Sequence, residues 1–153
     1  MENEKTRITS FRDLFVYQSS YKLMLLVFLK VLPRLPICER NDLQNQLRRS
    51  CKAIPRLIAE GYAKRQQRAG FNKYLEDAMA ETNETIVGLS QCVDVYAMRE
   101  VFMNEIIDGY DKVVRQLYKL NLVWRTFKRR EPKNDINETC IDTATDKLNK
   151  MYE

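Results

Sequence analysis

One stretch of the sequence, residues 45–68, separates apolar from basic side chains when it is wound into a helix; it reads NQLRRSCKAIPRLIAEGYAKRQQR. At about 100° per residue, its apolar side chains fall in one narrow stripe: Leu47, Cys51, Ile54, Ile58 and Tyr62. Its cations fall almost opposite: Arg48, Arg49, Lys52 and Arg56. The pattern predicts a helix that packs inward through one face and presents positive charge on the other.

Turn-forming residues are scarce, since the chain of 153 residues contains only 4 Gly and 4 Pro. A sheet protein needs many turns, so this composition favours long helices joined by short loops. Hydrophobic residues make up 44% of the sequence, which excludes a wholly disordered chain. We therefore expect a single all-α domain.

Three further segments carry apolar residues at helical spacing. The first begins after Thr9 or Ser10, with Asp13 completing a capping box. Its apolar residues recur at helical spacing at Leu14, Tyr21, Leu25, Phe28 and Leu32, and Tyr17, Met24 and Val31 form a second stripe. The third helix carries a heptad-like seam at Leu75, Met79, Thr82, Ile86, Leu89, Val93 and Tyr96. The fourth repeats the pattern at Phe102, Ile106, Tyr110, Val113, Leu117, Leu120, Trp124 and Phe127.

Prolines and glycines mark where these helices end or approach one another. Pro33 and Pro36 end the first helix, and the second runs from about residue 40 towards residue 67. Pro55 lies inside the second helix without an amide hydrogen, so we expect a kink there. Gly88 and Gly109 lie inside the third and fourth helices, where they permit a neighbour to come close.

Four amphipathic segments with short connections predict an antiparallel, up-and-down four-helix bundle over residues 11–130. Residues 1–10 are expected to be a flexible N-terminus. Residues 131–153 are expected to form a polar tail with room for a short helix.

The first helix is apolar on nearly all sides, because residues 23–29 read LMLLVFL between Lys22 and Lys30. The run is too short to span a bilayer. Each such side chain left in water would forgo about 1.5–3 kcal/mol of burial, so a second surface should cover it. We favour another subunit, with the interface at Met24, Val27 and Val31. Binding to a membrane surface is the alternative.

The residues that usually carry catalysis or bind metals are missing or badly spaced. The sequence has 4 Cys, no CxxC pair and no His, which excludes a His-containing zinc site and disfavours an all-cysteine one. Cys51 and Cys92 lie on apolar helix faces and are expected to be buried. The pattern of cysteines suits a protein of the reducing cytoplasm. Glu60 and Glu84 are expected to serve in caps or salt bridges. We expect neither an enzyme nor a cofactor.

Positive charge is concentrated in particular segments. The net charge is +5, but residues 12–68 contain 12 Lys or Arg against 4 Asp or Glu, while residues 71–105 contain 2 against 7. The basic residues predicted to contact nucleic acid are Arg48, Arg49, Lys52, Arg56, Lys64, Arg65, Arg125, Lys128, Arg129 and Arg130. A solvated face, or pairing with the acidic third helix, is the competing interpretation for the second helix. Stabilisation of the helix dipole is the competing interpretation for residues 125–130.

The segment QLRRSCKAIPRLIAEGYAKR resembles the signature of the four-helix-bundle proteins encoded in 23S rRNA intervening sequences, Q-x-R-R-A-x-x-S-I-P-x-N-I-A-E-G-x-x-R. The opening FRDLFVYQSS and the segment FNKYLEDAMAETNET are also similar to that family. Leu57 stands where the family usually has Asn, and Ala80–Glu81 stand where Gly-Ser is frequent.

The resemblance implies a four-helix bundle that assembles as a ring-shaped homopentamer. It also implies kinship with accessory variability proteins of diversity-generating retroelements, which bind nucleic acid and a reverse transcriptase. Our first functional hypothesis is therefore a cytoplasmic, non-enzymatic accessory protein that binds RNA or DNA. The second is a protein-interaction scaffold whose basic face binds an acidic partner.

Overall fold

The computed structural model describes residues 8–67 and 69–130, with the backbone alone for residues 127–130. This part of the chain is helical and contains no strand. Its long helices are α1 (Phe15–Leu26), α2 (Leu43–Ala63), α3 (Gly70–Tyr96) and α4 (Val101–Arg130). Because α1 and α3 each pack on both α2 and α4, the helices enclose one core. The predicted all-α four-helix fold is confirmed, whereas the predictions for residues 1–7 and 131–153 lie outside the described residues.

The predicted capping box is present before α1. The Asp13 carboxylate accepts hydrogen bonds from the backbone amides of Thr9 and Ser10, both at 2.8 Å. These two amide bonds, with Thr9 first, lower the pKa of Asp13. The box caps a single 3₁₀ turn, Phe11–Asp13, and α1 begins two residues later.

The core takes side chains from both apolar stripes of the first helical segment. Leu14 and Leu32 of the first stripe and Val31 of the second are buried, together with Val16, Ser20 and Val27. Tyr21 and Leu25 of the first stripe are 44% and 43% exposed. A helix that is apolar on all sides has no polar face to mark its outside, so packing decides which way it turns. Short side chains let α1 lie close to its neighbours.

This orientation corrects the predicted subunit interface. Val27 and Val31 are completely buried within the subunit, so they have no surface to offer a second copy. Met24 is half-buried. The apolar side chains that α1 leaves in solvent include Leu25 and Leu29.

Beyond Leu26 the helical backbone continues through a π-helical turn, Val27–Val31, and a 3₁₀ turn, Leu32–Arg34. The helix therefore ends around Pro33, as predicted. By length and composition, Phe15–Arg34 is the one candidate membrane span in the described part of the chain, although core helices of soluble proteins have the same properties.

The apolar stripe predicted for α2 is confirmed. All five of its members are buried: Leu47, Cys51, Ile54, Ile58 and Tyr62. The helix continues through Pro55, which is itself buried, and ends at Ala63, a few residues before the predicted end. The kink at Pro55 stays a prediction.

Helix α3 adds small buried residues to the apolar seam that the sequence pattern predicted. Leu75, Thr82 and Leu89 are buried as predicted, and Met79, Ile86 and Val93 are half-buried and pack against the core. Ala78, Thr85 and Cys92 form a further buried column. The lack of a side chain at Gly88 allows close contact with α2, because a Cβ built there would lie 2.7 Å from Leu47 Cδ2.

Polar side chains join α3 to α4 near one end of the bundle. Asn72 Nδ2 donates to the backbone carbonyl of Asn121 at 3.1 Å and also to its side-chain oxygen. Asn121 Nδ2 in turn donates to Glu76 at 3.4 Å. Asn121 is buried, so these bonds satisfy an amide that is almost cut off from water.

Candidate nucleic-acid interface

The four cations predicted on the outside of α2 are all exposed. We call Arg48, Arg49, Lys52 and Arg56 the basic stripe. The Arg48 guanidinium carbon lies 5.6 Å from the centroid of the Phe28 ring, and Lys52 Nζ lies 6.0 Å from it. This pair therefore borders the π-helical turn that follows α1 and lies over the face of an aromatic ring.

The other side of the basic stripe borders a groove between α2 and α3 of about 500 Å³. Arg49, Lys52 and Arg56 line it from α2, and Glu81 and Glu84 line it from α3. We call this cleft the α2–α3 groove.

Small residues explain why the α2–α3 groove is open. Ser50 and Ala53 of α2 line it between the longer cations. Ser50 is almost completely buried, and its Oγ accepts a hydrogen bond of 2.9 Å from Thr85 Oγ1 on α3. The two helices therefore meet at hydroxyl groups, with the charged side chains standing above them.

Opposite charges meet across the groove without pairing. Burial raises the pKa of Glu81, as does the neighbouring Glu84 carboxylate, while Arg49 and Arg56 act in the opposite direction. In the described residues, the ion pairs join Arg34 to Glu100 and Arg125 to Glu76, and none includes the basic stripe. Among the described residues, no carboxylate is therefore paired with the stripe.

Lys64 and Arg65, which were also predicted to contact nucleic acid, directly follow α2, and both are already engaged by nearby tyrosines. Lys64 Nζ donates to the Tyr74 hydroxyl and lies 4.7 Å from the ring centroid of the same tyrosine. That hydrogen bond raises the pKa of Lys64. The Arg65 guanidinium carbon lies 4.2 Å from the Tyr62 ring centroid, and Nη1 donates to the Tyr62 carbonyl at 3.0 Å.

The predicted cluster at the end of α4 is only partly described. Arg125 pairs with Glu76 of α3, so its charge is balanced within the subunit. The side chains of Lys128, Arg129 and Arg130 lie outside the described residues. Trp124 is buried, which agrees with its predicted place in the core and removes it as a base-stacking surface.

The α2–α3 groove was not predicted from the sequence. The acidic face of α3 and the basic face of α2 were both visible in the sequence, but only the relative rotation of the two helices brings Glu81 opposite Arg49 and Arg56. Within the described residues, no group of three or more Cys, Asp or Glu is arranged to hold a metal ion.

A family model described as 23S rRNA-intervening sequence protein matches residues 12–119. The chain belongs to the 23S rRNA-intervening sequence protein family. No curated protein and no solved structure matches it. The matched region contains the whole basic stripe and both walls of the α2–α3 groove, whereas Arg125 lies beyond it.

Proposed function

We propose that this protein is a non-enzymatic accessory protein that binds the phosphate backbone of RNA or DNA through the basic stripe of α2. The observation that carries the proposal is the exposure of Arg48, Arg49, Lys52 and Arg56 without carboxylate partners among the described residues. Membership of a family named for 23S rRNA is consistent with a nucleic-acid partner.

The spacing of the stripe suits a row of phosphates. Arg48, Lys52 and Arg56 follow one another at intervals of four residues, which is about 6 Å along a helix axis. Phosphates along one strand are spaced similarly, and Arg can bind a phosphate with two parallel hydrogen bonds. Because backbone contacts carry no base information, the stripe should bind many sequences alike.

A homo-oligomer, a pentamer by family resemblance, would strengthen this binding. Leu25 of α1 and Leu29 of the π-helical turn that follows it are 43% and 73% exposed, and a second copy would cover them. An assembly repeats the basic stripe and raises the local positive potential above that of one subunit. The same resemblance supports a reverse transcriptase as a partner in a cytoplasmic complex, without insertion into a membrane.

The proposal is tested by filter binding of the full chain to RNA and DNA over a range of salt concentrations. We expect affinity to fall steeply with salt, and the double variant Arg48→Glu, Lys52→Glu to bind all sequences more weakly. The matched control is Lys112→Glu, Arg115→Glu, which makes the same charge change at exposed positions of α4. Equal binding by the stripe variant and the parent at low salt would contradict the proposal.

The second candidate function is a scaffold whose basic face binds an acidic protein. It is favoured by the same unpaired cations, since acidic side chains and phosphates compete for them. Competition separates the two functions: a scaffold would retain its protein partner in a large excess of mixed RNA, whereas an RNA-binding protein would release it.

A further inference from the structure

Phosphate binding alone does not account for the α2–α3 groove. Glu81 and Glu84 stand opposite the cations Arg49, Lys52 and Arg56 in the same cleft. A carboxylate repels phosphate, so a surface suited only to a nucleic-acid backbone would gain from neutral residues at these positions. The acidic wall should therefore meet a different part of the ligand.

An ionised carboxylate can only accept hydrogen bonds, which restricts the group that it can bind. Guanine presents two adjacent N–H donors, N1–H and the N2 amino group, on its Watson–Crick edge. Cytosine and adenine place a ring-nitrogen acceptor beside their amino group on that edge, and uracil flanks its single N–H with carbonyl oxygens. Guanine is thus the base whose edge matches a carboxylate with two hydrogen bonds.

The dimensions and rigidity of the cleft suit a base. Its volume of about 500 Å³ falls in the range of small-molecule sites. Ser50 and Ala53 leave its floor free of large side chains, and the Ser50–Thr85 hydrogen bond holds the two helices together beneath it. A base can enter such a cleft only where the nucleic acid is single-stranded and the base is unstacked.

We infer that the α2–α3 groove binds a guanine base of single-stranded nucleic acid, with the base edge on Glu81 or Glu84 and the adjoining phosphates on Arg49 and Arg56. This inference rests on the proposed function. It adds base preference to a surface that otherwise binds backbone only.

The test uses uridine oligomers of about twelve nucleotides with a central uridine, adenosine, guanosine or inosine. We expect the parent protein to bind the guanosine oligomer about tenfold more tightly than the uridine oligomer, the size of one bidentate base contact. Inosine lacks the N2 amino group but keeps N1–H, so its oligomer should fall between the two. DNA oligomers with the same bases show whether the sugar matters.

Substitution of the acidic wall distinguishes base recognition from simple repulsion. Glu81→Gln and Glu84→Gln are nearly isosteric, and we expect at least one of them to abolish the guanosine preference. Glu105→Gln, at an exposed position of α4, is the matched control and should retain the preference. If the variants instead bind all oligomers more tightly by the same factor, the carboxylates act by repulsion and the inference is wrong.

The outcomes also separate this inference from the function on which it depends. A parent protein that binds the oligomers with equal affinity keeps the proposed function and loses the guanine site. A parent protein that binds no RNA or DNA oligomer loses both.

Discussion

Gly61 of α2 lies so close to Tyr74 of α3 that a Cβ built on the glycine would stand 2.7 Å from the Cβ of the tyrosine. The Phe71 ring is almost as near, with Cδ2 at 3.0 Å from the same point. A Cβ atom is fixed to its backbone and cannot rotate away. The distance between α2 and α3 therefore depends on the absence of a side chain at position 61.

Gly61→Ala should consequently separate α2 from α3 and lower the free energy of unfolding by about 1–3 kcal/mol, the usual cost of overpacking. Gly109→Ala is the matched control, because its nearest neighbour is Leu23 Cδ2, at 2.6 Å, which is the end of a flexible and half-buried side chain. Urea denaturation of the two variants measures the difference. If Gly61→Ala is no less stable than Gly109→Ala, this account of the contact is wrong.

The two basic clusters should differ in their contribution to nucleic-acid binding. Arg56→Ala removes an exposed cation that has no carboxylate partner among the described residues, and it should reduce the slope of log affinity against log salt by about 0.7–0.9. Arg125→Ala should change the slope less, since Arg125 is already paired with Glu76. Titrations of one RNA at several salt concentrations give both slopes. A larger effect from Arg125 would place the main contact at the end of α4.

The exposed face of α1 should hold the subunits together. Leu25→Glu with Leu29→Glu places charges on this face and should reduce the mass of the assembly in sedimentation or light-scattering measurements. The control is Val95→Glu, at a 66%-exposed apolar position of α3. Circular dichroism checks that the helices remain. An unchanged mass for the α1 double variant would exclude this face as the interface.

The buried thiols should be unreactive towards thiol reagents in the native protein. Burial raises the pKa of Cys51 to about 12 and that of Cys92 to about 11, whereas Cys38 is exposed. In a Cys140→Ser background at pH 8, a thiolate-specific reagent should modify Cys38 rapidly and the two buried thiols only after denaturation. Rapid reaction of three thiols in the folded protein would contradict the structure.

The same burial gives a dependence of stability on alkaline pH. Unfolding returns both thiols to their ordinary pKa of 9.0, so above that pH the unfolded chain loses protons that the folded chain retains. The free energy of unfolding should therefore decrease as the pH rises from about 9 towards 11–12. Cys51→Ala, compared with the parent, should show a weaker decrease between these pH values.

The sequence predicted the buried face of α2 and left that of α1 open, and the reason is the distribution of polar residues. In α2 the cations mark one face as outer, so the buried stripe from Leu47 to Tyr62 follows directly. In α1 both faces are apolar, and only packing shows that Val27 and Val31 point inward while Leu25 does not. In α3 the spacing of large apolar residues indicated the seam from Leu75 to Leu89, but it gave no sign of the small buried residues Ala78 and Thr85.

One part of the candidate site could likewise be predicted from the sequence, and the other part could not. The exposure of the basic stripe follows from one helix alone, so the sequence was sufficient to predict it. The α2–α3 groove depends on how two helices are rotated against each other, and the short side chains of Ser50 and Ala53 open it. No periodicity within a single helix encodes that rotation.

The bonds between Asn72 and Asn121 set the alignment of α3 with α4. Helices that touch only through aliphatic side chains can slide past each other by one turn at little cost in free energy, because one apolar contact replaces another. Sliding here would leave the buried Asn121 amide without hydrogen-bond partners, in a place that water hardly reaches. The other longitudinal alignments of α3 and α4 are therefore destabilised. The positions of the α4 charges along the bundle axis are thereby fixed relative to those of α3.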